Sequence, residues 1–174
     1  RRSRCVYGNG IFPEIVWRTS YWLSSFVVQR YEGLYRIPPD KGVILIANHC
    51  SYLDHFIIGS AIAAKLGRAP YFVAKKEHFD HKFDKWIHTK LNGIPIDRSR
   101  FSHKLTRKLR DIVQDGNILI IYPEGTRSSD GSMQEFKPGF LLLQRLTGAP
   151  VIPVGITNTF KALPKGKWLP KPVP

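Results

Sequence analysis

Cysteine and long apolar runs are both scarce in this sequence. Only Cys5 and Cys50 occur among 174 residues. Two cysteines cannot build a disulfide framework, and neither stands at the spacing of a metal-ligand pair, so a reducing compartment is the simpler interpretation. No apolar run reaches the roughly 18 residues of a membrane-spanning helix. The basic N-terminus is not followed by the clean apolar core of a signal peptide. These absences argue against a secreted disulfide-rich domain and against a spanning helix within this sequence.

Several common catalytic and ligand-binding motifs are missing as well. The sequence contains no G-x-x-x-x-G-K-[ST] phosphate loop and no G-x-S-x-G nucleophile elbow. Among six histidines, His78 and His81 are three residues apart but lack companion ligands. We therefore predict no metal site and no activated serine nucleophile.

Acidic residues are few: 13 stand against 27 Lys plus Arg, giving a formal net charge of +14. This excess predicts an anionic partner, which can be nucleic acid, an anionic membrane surface or a phosphorylated substrate. The length suits one domain with a sizeable core. Because the chain lacks an initiator Met and stops at Pro174 without a closing element, we expect a piece of a longer protein, truncated at its C-terminus.

Apolar runs alternate with amphipathic stretches after the turn-rich break at residues 38–42. This alternation predicts an α/β domain over residues 35–174, with a mostly parallel central sheet covered by helices. Pro153 indicates that the last strand lies at an edge or carries a bulge. The predicted strands are 43–47, 70–74, 94–97, 118–122 and 151–156, and the predicted helices are 52–66, 101–115 and 138–147, with a polar helical stretch near 76–91.

Residues 1–34 are predicted to form an N-terminal amphipathic segment with a helix over 11–30. Its apolar residues recur at near-helical spacing and include the aromatics Trp17 and Trp22. Aromatic side chains flanked by Arg suit a membrane interface. A helix packed on the core of the domain explains the same pattern equally well.

An imidazole and a carboxylate follow the first predicted strand, in the segment from Asn48 to Asp54. Open α/β sheets place their sites at the carboxyl ends of strands, so His49 is a candidate general base that Asp54 would orient. On one continuous helix the two side chains would point roughly 140° apart. They converge only if His49 lies in the loop and Asp54 in the first helical turn. Ser51 and Asp54 also match a capping box, and both interpretations can hold together.

Charged residues follow other predicted strands. In the segment Tyr122-Pro123-Glu124-Gly125-Thr126-Arg127-Ser128, Gly125 allows a sharp turn that can point Glu124 and Arg127 into one cleft. An Arg fork matches phosphate oxygens, and Glu124 can orient that Arg or bind a substrate hydroxyl. A surface turn with a local ion pair is the plainer alternative. Arg98 and Lys76 add cations after two further strands, which predicts a site for a phosphorylated, hydroxyl-bearing substrate.

Four segments occur in the order and approximate spacing of a known family. They are N-H-x4-D (Asn48 to Asp54), G-I-P-I-D-R (Gly93 to Arg98), Y-P-E-G-T-R (Tyr122 to Arg127) and V-I-P-V (Val151 to Val154). Over roughly residues 35–156 the chain resembles the glycerolipid acyltransferases, specifically the 1-acyl-sn-glycerol-3-phosphate (lysophosphatidate) acyltransferase branch. Tyr122 stands where that family more often has Phe.

The resemblance implies phospholipid biosynthesis, with acyl transfer from acyl-CoA or an acyl carrier protein to 1-acyl-glycerol 3-phosphate, giving phosphatidate. It implies that His49 is the general base and that Asp54 supports it. Arg98 and Arg127 would hold the acceptor phosphate, and the segment Glu124, Gly125 and Thr126 would contact phosphate or glycerol. Lys76 would assist near the phosphate or the donor. No metal and no cofactor is needed.

We therefore expect a membrane-associated enzyme at the cytoplasmic face. Its expected partners are an anionic membrane surface, a lysophospholipid acceptor and the thioester donor, with no nucleic acid. The same chemistry on glycerol 3-phosphate or a lyso-aminolipid is an alternative. A basic nucleic-acid-binding domain is a remote alternative, because it leaves the His/Asp and Glu/Arg segments unexplained. A non-catalytic lipid-binding protein of the same fold is disfavoured by the intact His49 and Asp54.

Overall fold

The computed structural model describes residues 11–25, 28, 30–97, 102–167, 169 and 171. Its centre is a five-stranded sheet in which every strand pairing is parallel. The predicted α/β fold with a parallel sheet is confirmed, and the predicted strand ends differ by at most two residues. The strands are β1 (Val43–Ala47), β2 (Tyr71–Lys75), β3 (Gly93–Ile96), β4 (Ile118–Ile121) and β5 (Val151–Val154). Their order across the sheet is β3-β2-β4-β1-β5.

Helices cover both faces of this sheet. Several predicted helices begin or end at other residues than expected. The polar stretch 76–91 is divided into a 3-10 turn (Lys76–Phe79) and the helix α3 (Lys82–Lys90), because the backbone of His81 is extended. The helix predicted over 101–115 starts after Ser102, whose side chain caps it by accepting the Leu105 N–H. The helices are α1 (Ile11–Ser24), α2 (Leu53–Leu66), α3 (Lys82–Lys90), α4 (His103–Gln114), α5 (Gly139–Thr147) and α6 (Thr159–Ala162).

Alternate residues of the central strands face two separate apolar clusters. In β1, Val43 and Leu45 belong to the cluster that contains α2 residues, whereas Ile44 packs with Leu109 and Leu143 on the opposite face. Successive side chains of a strand point to opposite faces, so a strand buried on both faces reads as an unbroken apolar run. This is why β1 and β4 were recognisable from the sequence.

Helix α1 packs on α2 through Trp17, which is fully buried in the first cluster. A Cβ at Gly59 of α2 would lie 2.5 Å from the Trp17 ring, so this close approach requires glycine. The helix ends at Ser24 and is shorter than the predicted 11–30, part of which lies outside the described residues. Its opposite side exposes Ile15, Trp22 and Leu23. Packing on the core therefore accounts for only one of its two apolar faces.

Across the described residues, we find no helix with both the length and the hydropathy needed to cross a bilayer. β3 and β5 form the two edges of the sheet among these residues. Pro95 and Pro153 lie in these edge strands, where a missing N–H is tolerated, so the predicted edge position of Pro153 is confirmed. Because all five strands are parallel, the segments that follow them lie along the same side of the sheet.

Candidate active site

The His49 and Asp54 side chains meet directly after β1. His49 lies in the loop and Asp54 in the first turn of α2, which is the arrangement that their spacing required. The Nδ1 atom of His49 lies 2.9 Å from Oδ2 of Asp54. Asp54 is completely buried, whereas 16% of the His49 side chain is exposed. Since Asp54 occupies Nδ1, Nε2 is the ring nitrogen left to meet a substrate.

Asp54 also organises the loop that carries His49. Its Oδ2 accepts the backbone N–H groups of Cys50 at 2.7 Å and Ser51 at 2.8 Å. In return, Ser51 Oγ accepts the N–H of Leu53 at 3.1 Å. The capping interpretation and the dyad interpretation therefore both describe the geometry, because one carboxylate starts the helix and holds the imidazole.

The environment of Asp54 keeps it ionised. Burial acts to raise its pKa, but this effect is outweighed by hydrogen bonding from His49, by the Thr159 hydroxyl and by the amides of Ser51 and Cys50, so the pKa is lowered. Thr159 Oγ1 and Asp54 Oδ1 are both buried without a geometrically complete hydrogen bond among the described residues. An Asp54 that is ionised at neutral pH can stabilise the positive form of His49.

The segment after β4 fixes the backbone of His49 on both sides. Oε1 of Glu124 accepts the His49 N–H at 2.7 Å, and the His49 carbonyl accepts the Ser128 N–H at 2.8 Å. Oε2 of Glu124 accepts the Gln134 N–H at 3.1 Å. Glu124 is only 3% exposed, so both carboxylate oxygens face protein amides. The structure thus gives Glu124 other partners than those expected, and its contact with a substrate stays a prediction.

Arg127 lies beside the dyad, stacked on an aromatic ring. Its guanidinium carbon is 3.5 Å from the centroid of the Tyr52 ring. Its Nη1 atom is buried and has no hydrogen-bond partner among the described residues. The turn that brings it here needs Gly125, whose φ is 73°, in the left-handed region. The neighbouring Thr126 is exposed.

Lys76 and Arg98 are the other two cations that were predicted to lie at the site. Lys76 is exposed in the 3-10 turn that follows β2. Arg98 lies outside the described residues, so its predicted position is not tested. In the described part of the chain, no group of three or more His, Cys, Asp or Glu side chains could hold a metal ion.

Comparison with known proteins identifies the family of this chain. The family model described as Acyltransferase matches residues 28–157. The chain belongs to the acyltransferase family. Family membership was predicted from the four sequence segments and is confirmed.

Three similar proteins illustrate the relation of this acyltransferase chain to other members of the family. A 1-acyl-sn-glycerol-3-phosphate acyltransferase of Limnanthes alba is 35% identical, over 77% of this chain and 47% of the relative. A chloroplastic one of Brassica napus is 30% identical, over 83% of this chain and 43% of the relative. The crystal structure of the 1-acyl-sn-glycerophosphate (LPA) acyltransferase of Thermotoga maritima matches with a TM-score of 0.73 and 31% identity, covering 91% of this chain and 63% of that chain. The chain thus spans less than half the length of these two curated relatives.

Tyr122 contacts the candidate site of this acyltransferase chain, although the sequence analysis noted it only as a replacement for Phe. Its ring stacks on His49 with centroids 4.1 Å apart and an interplanar angle of 22°. Burial, and then the negative charge of Asp54, raise the pKa of Tyr122 well above its usual value. The neutral ring forms an apolar wall against the imidazole.

Asn48 is a second residue whose role was missed. Its Nδ2 donates to the Ile156 carbonyl at 2.8 Å, and its Oδ1 accepts the Ile156 N–H at 2.7 Å. A side-chain amide can copy the donor and acceptor of a backbone peptide. This pair extends the contact between β1 and β5 beyond the last paired residues. The amide type alone was the available signal, but its partner is 108 residues away.

Further histidines line the region beside the dyad. The His55 ring stacks on Phe72 with centroids 5.3 Å apart, and His78 stacks on His88 at the same separation. Burial, followed by the charge of His49, lowers the pKa of His55 to about 3. Burial, then the charges of His88 and Arg127, also lower the pKa of His78. The lowered pKa values favour the neutral forms of His55 and His78.

Proposed function

We propose that this chain is the catalytic part of an enzyme that transfers a fatty acyl group from a thioester to the free hydroxyl of a lysophospholipid. The proposed acceptor is 1-acyl-glycerol 3-phosphate, and the product is phosphatidate. One observation carries the proposal: the 2.9 Å contact of His49 Nδ1 with the buried Asp54. It prepares a base for a hydroxyl that the substrate supplies.

In the proposed reaction, Nε2 of His49 takes the proton of the acceptor hydroxyl as its oxygen attacks the thioester carbonyl. The resulting imidazolium is stabilised by Asp54. Collapse of the tetrahedral intermediate forms the ester bond and breaks the carbon–sulfur bond. The thiolate then takes the proton from His49, which returns the base to its neutral form. Every atom of the products comes from the two substrates, and the proposed reaction uses no metal and no redox cofactor.

Arg127 is the proposed ligand of the acceptor phosphate, together with Arg98 and Lys76. Support comes from the buried Nη1 of Arg127, a donor that needs an acceptor. Glu124, Gly125 and Thr126 form the turn that carries Arg127, and Thr126 is exposed. Their proposed part is to shape the phosphate and glycerol site.

The choice of acceptor follows the names of the relatives, which are 1-acyl-sn-glycerol-3-phosphate acyltransferases. Glycerol 3-phosphate and lyso-aminolipids remain alternatives for the same chemistry, and a panel of acceptors separates them. Acyl-CoA and acyl carrier protein are the two proposed donors. Neither is favoured by a described contact.

We further propose association with an anionic membrane surface, at the cytoplasmic face. The support is an aromatic face, defined as Phe12 and Ile15 of α1 with Phe83 and Trp86 of α3. The Phe12 and Trp86 rings are 4.6 Å apart, Phe83 and Trp86 stack at 6.3 Å, and all four side chains are exposed. The exposed cations Lys82 and Lys85 border it on α3. Aromatic rings beside lysines suit the headgroup region of an anionic bilayer.

The test of the activity is acylation of 1-acyl-glycerol 3-phosphate by the full-length protein, with acyl-CoA and acyl carrier protein as donors and lipid mass spectrometry as the readout. His49→Ala should abolish most turnover, because removal of a general base costs about 10²–10⁴-fold. His81→Ala is the matched control, since His81 is exposed before α3 and should retain full turnover. Wild-type turnover in His49→Ala would refute the assignment of the base.

A further inference from the structure

The contact of Arg127 with Tyr52 joins two segments that the fold brings together from different strand ends. Tyr52 immediately precedes α2, and Arg127 lies in the turn after β4. The guanidinium carbon is 3.5 Å from the ring centroid, so the cation lies directly over the aromatic ring. Tyr52 is half-buried, and it stands between the loop that carries His49 and the helix that carries Asp54.

Stacking on Tyr52 occupies only the flat side of the guanidinium of Arg127. The five N–H donors of Arg lie in one plane and point outward from its edge, whereas an aromatic ring engages only the flat side. Nη1 of Arg127 is buried without a hydrogen-bond partner among the described residues. A buried donor without an acceptor is unfavourable until a ligand supplies one. A guanidinium that is fixed in one plane, with N–H donors along its edge, has the geometry that binds phosphate oxygens.

We infer that Tyr52 is a positioning residue that fixes the plane of Arg127 and thereby sets the affinity for the phosphate of the acceptor. This inference rests on the proposed phosphate role of Arg127. Tyr52 does not touch the reacting atoms. It stabilises one orientation of a long side chain that would otherwise lose that orientation to rotamer freedom.

The experiment measures the Michaelis constant (KM) and kcat of the full-length protein for 1-acyl-glycerol 3-phosphate. Tyr52→Leu should raise KM about 2- to 30-fold, the range of a cation–π contact, while kcat at saturation and its pH profile stay near wild type. Tyr52→Phe keeps the ring and should restore most of the affinity. Tyr52→Met, an unbranched replacement, serves if the Leu variant does not fold.

A matched control is Tyr35→Leu. Arg36 lies over the Tyr35 ring at 5.7 Å, but Tyr35 is 82% exposed and outside the site, so this variant should leave both constants unchanged. The double variant Tyr52→Leu/Arg127→Ala should show the KM of Arg127→Ala alone, because the ring acts only through the guanidinium.

The possible failures are distinguishable. An unchanged KM in Arg127→Ala would overturn the phosphate role of Arg127 in the proposed function. A raised KM in Arg127→Ala with an unchanged KM in Tyr52→Leu would overturn only the inference about Tyr52. The inference also falls if Tyr52→Phe is as impaired as Tyr52→Leu, or if Tyr52→Leu lowers kcat or shifts its pH profile, since the ring would then act through the hydroxyl or the dyad.

Discussion

The Glu124→Gln variant tests whether this carboxylate holds the backbone of His49 or binds the acceptor. In the structure, Oε1 and Oε2 accept the N–H groups of His49 at 2.7 Å and Gln134 at 3.1 Å. Gln offers one oxygen and one NH₂ group, so one of the two backbone N–H donors would face another donor. The variant therefore loses at least one charge-assisted bond and leaves a partly buried N–H unsatisfied.

The expected loss of stability is substantial. A hydrogen bond to a charged group contributes about 1.5–3 kcal/mol, and an unsatisfied buried donor costs about 1–3 kcal/mol. These terms partly describe the same change, so we expect Glu124→Gln to lower the free energy of unfolding by about 2–4 kcal/mol. It should also lower kcat, because the His49 backbone is no longer fixed. Urea denaturation measures the first effect, and saturation kinetics measure the second.

The control is Glu135→Gln, which removes an exposed carboxylate from the same loop region and should leave stability and kcat unchanged. A Glu124→Gln variant with wild-type stability and a raised KM would refute the reasoning. If Glu124 acts by binding the acceptor, its replacement should raise KM and leave the free energy of unfolding at the wild-type value.

Three other perturbations test neighbouring contacts. The pKa of Asp54 is lowered, so its stabilising contribution is present above its ordinary pKa of 3.8 and is lost as pH falls through the lowered value. Asp54→Asn should therefore reduce the loss of unfolding free energy that the wild type shows at acid pH. An unchanged dependence on pH would contradict the assignment. Asn48→Ala removes both bonds to Ile156 and should cost about 1–3 kcal/mol in urea denaturation, against no change for the exposed Gln114→Ala. Phe83→Ser/Trp86→Ser should weaken co-sedimentation with vesicles that contain phosphatidylglycerol, whereas Leu169→Ser, also exposed, should not; equal binding would exclude the aromatic face as the docking surface.

The elements that the sequence predicted well are those whose side chains have one simple environment. β1 and β4 are buried on both faces, so their unbroken apolar runs identify them without tertiary information. The stretch 76–91 lacks such a signal, because a polar surface helix tolerates the break at Asp80 and His81. α6 was missed because four residues (Thr159–Ala162) are too few to show a helical period.

Candidate site residues were predictable where chemistry is local and not where it depends on a distant partner. The spacing of His49 and Asp54 sufficed to derive a loop position for one and a first-turn position for the other, as the structure has them. The partners of Glu124 could not be derived in this way. Its bond to His49 spans 75 residues and exists because β1 and β4 are neighbours. A charged residue after a strand indicates a site, but the strand order decides what it contacts.

The strand order also determines how the base and the cations are arranged along the carboxyl ends of the strands. β1 lies between β4 and β5, so the His49 loop is held by Glu124 and Ser128 on one side and by Ile156 on the other. β2 and β3 lie beyond β4. The base is therefore at the β1 end, while Arg127 follows β4 and the segment of Lys76 follows β2. In the proposed reaction, the acceptor would extend across the strand ends with its hydroxyl over β1 and its phosphate toward β2 and β3. Tyr52 stands at the boundary between these two regions, because it follows β1 in sequence but contacts the arginine that follows β4.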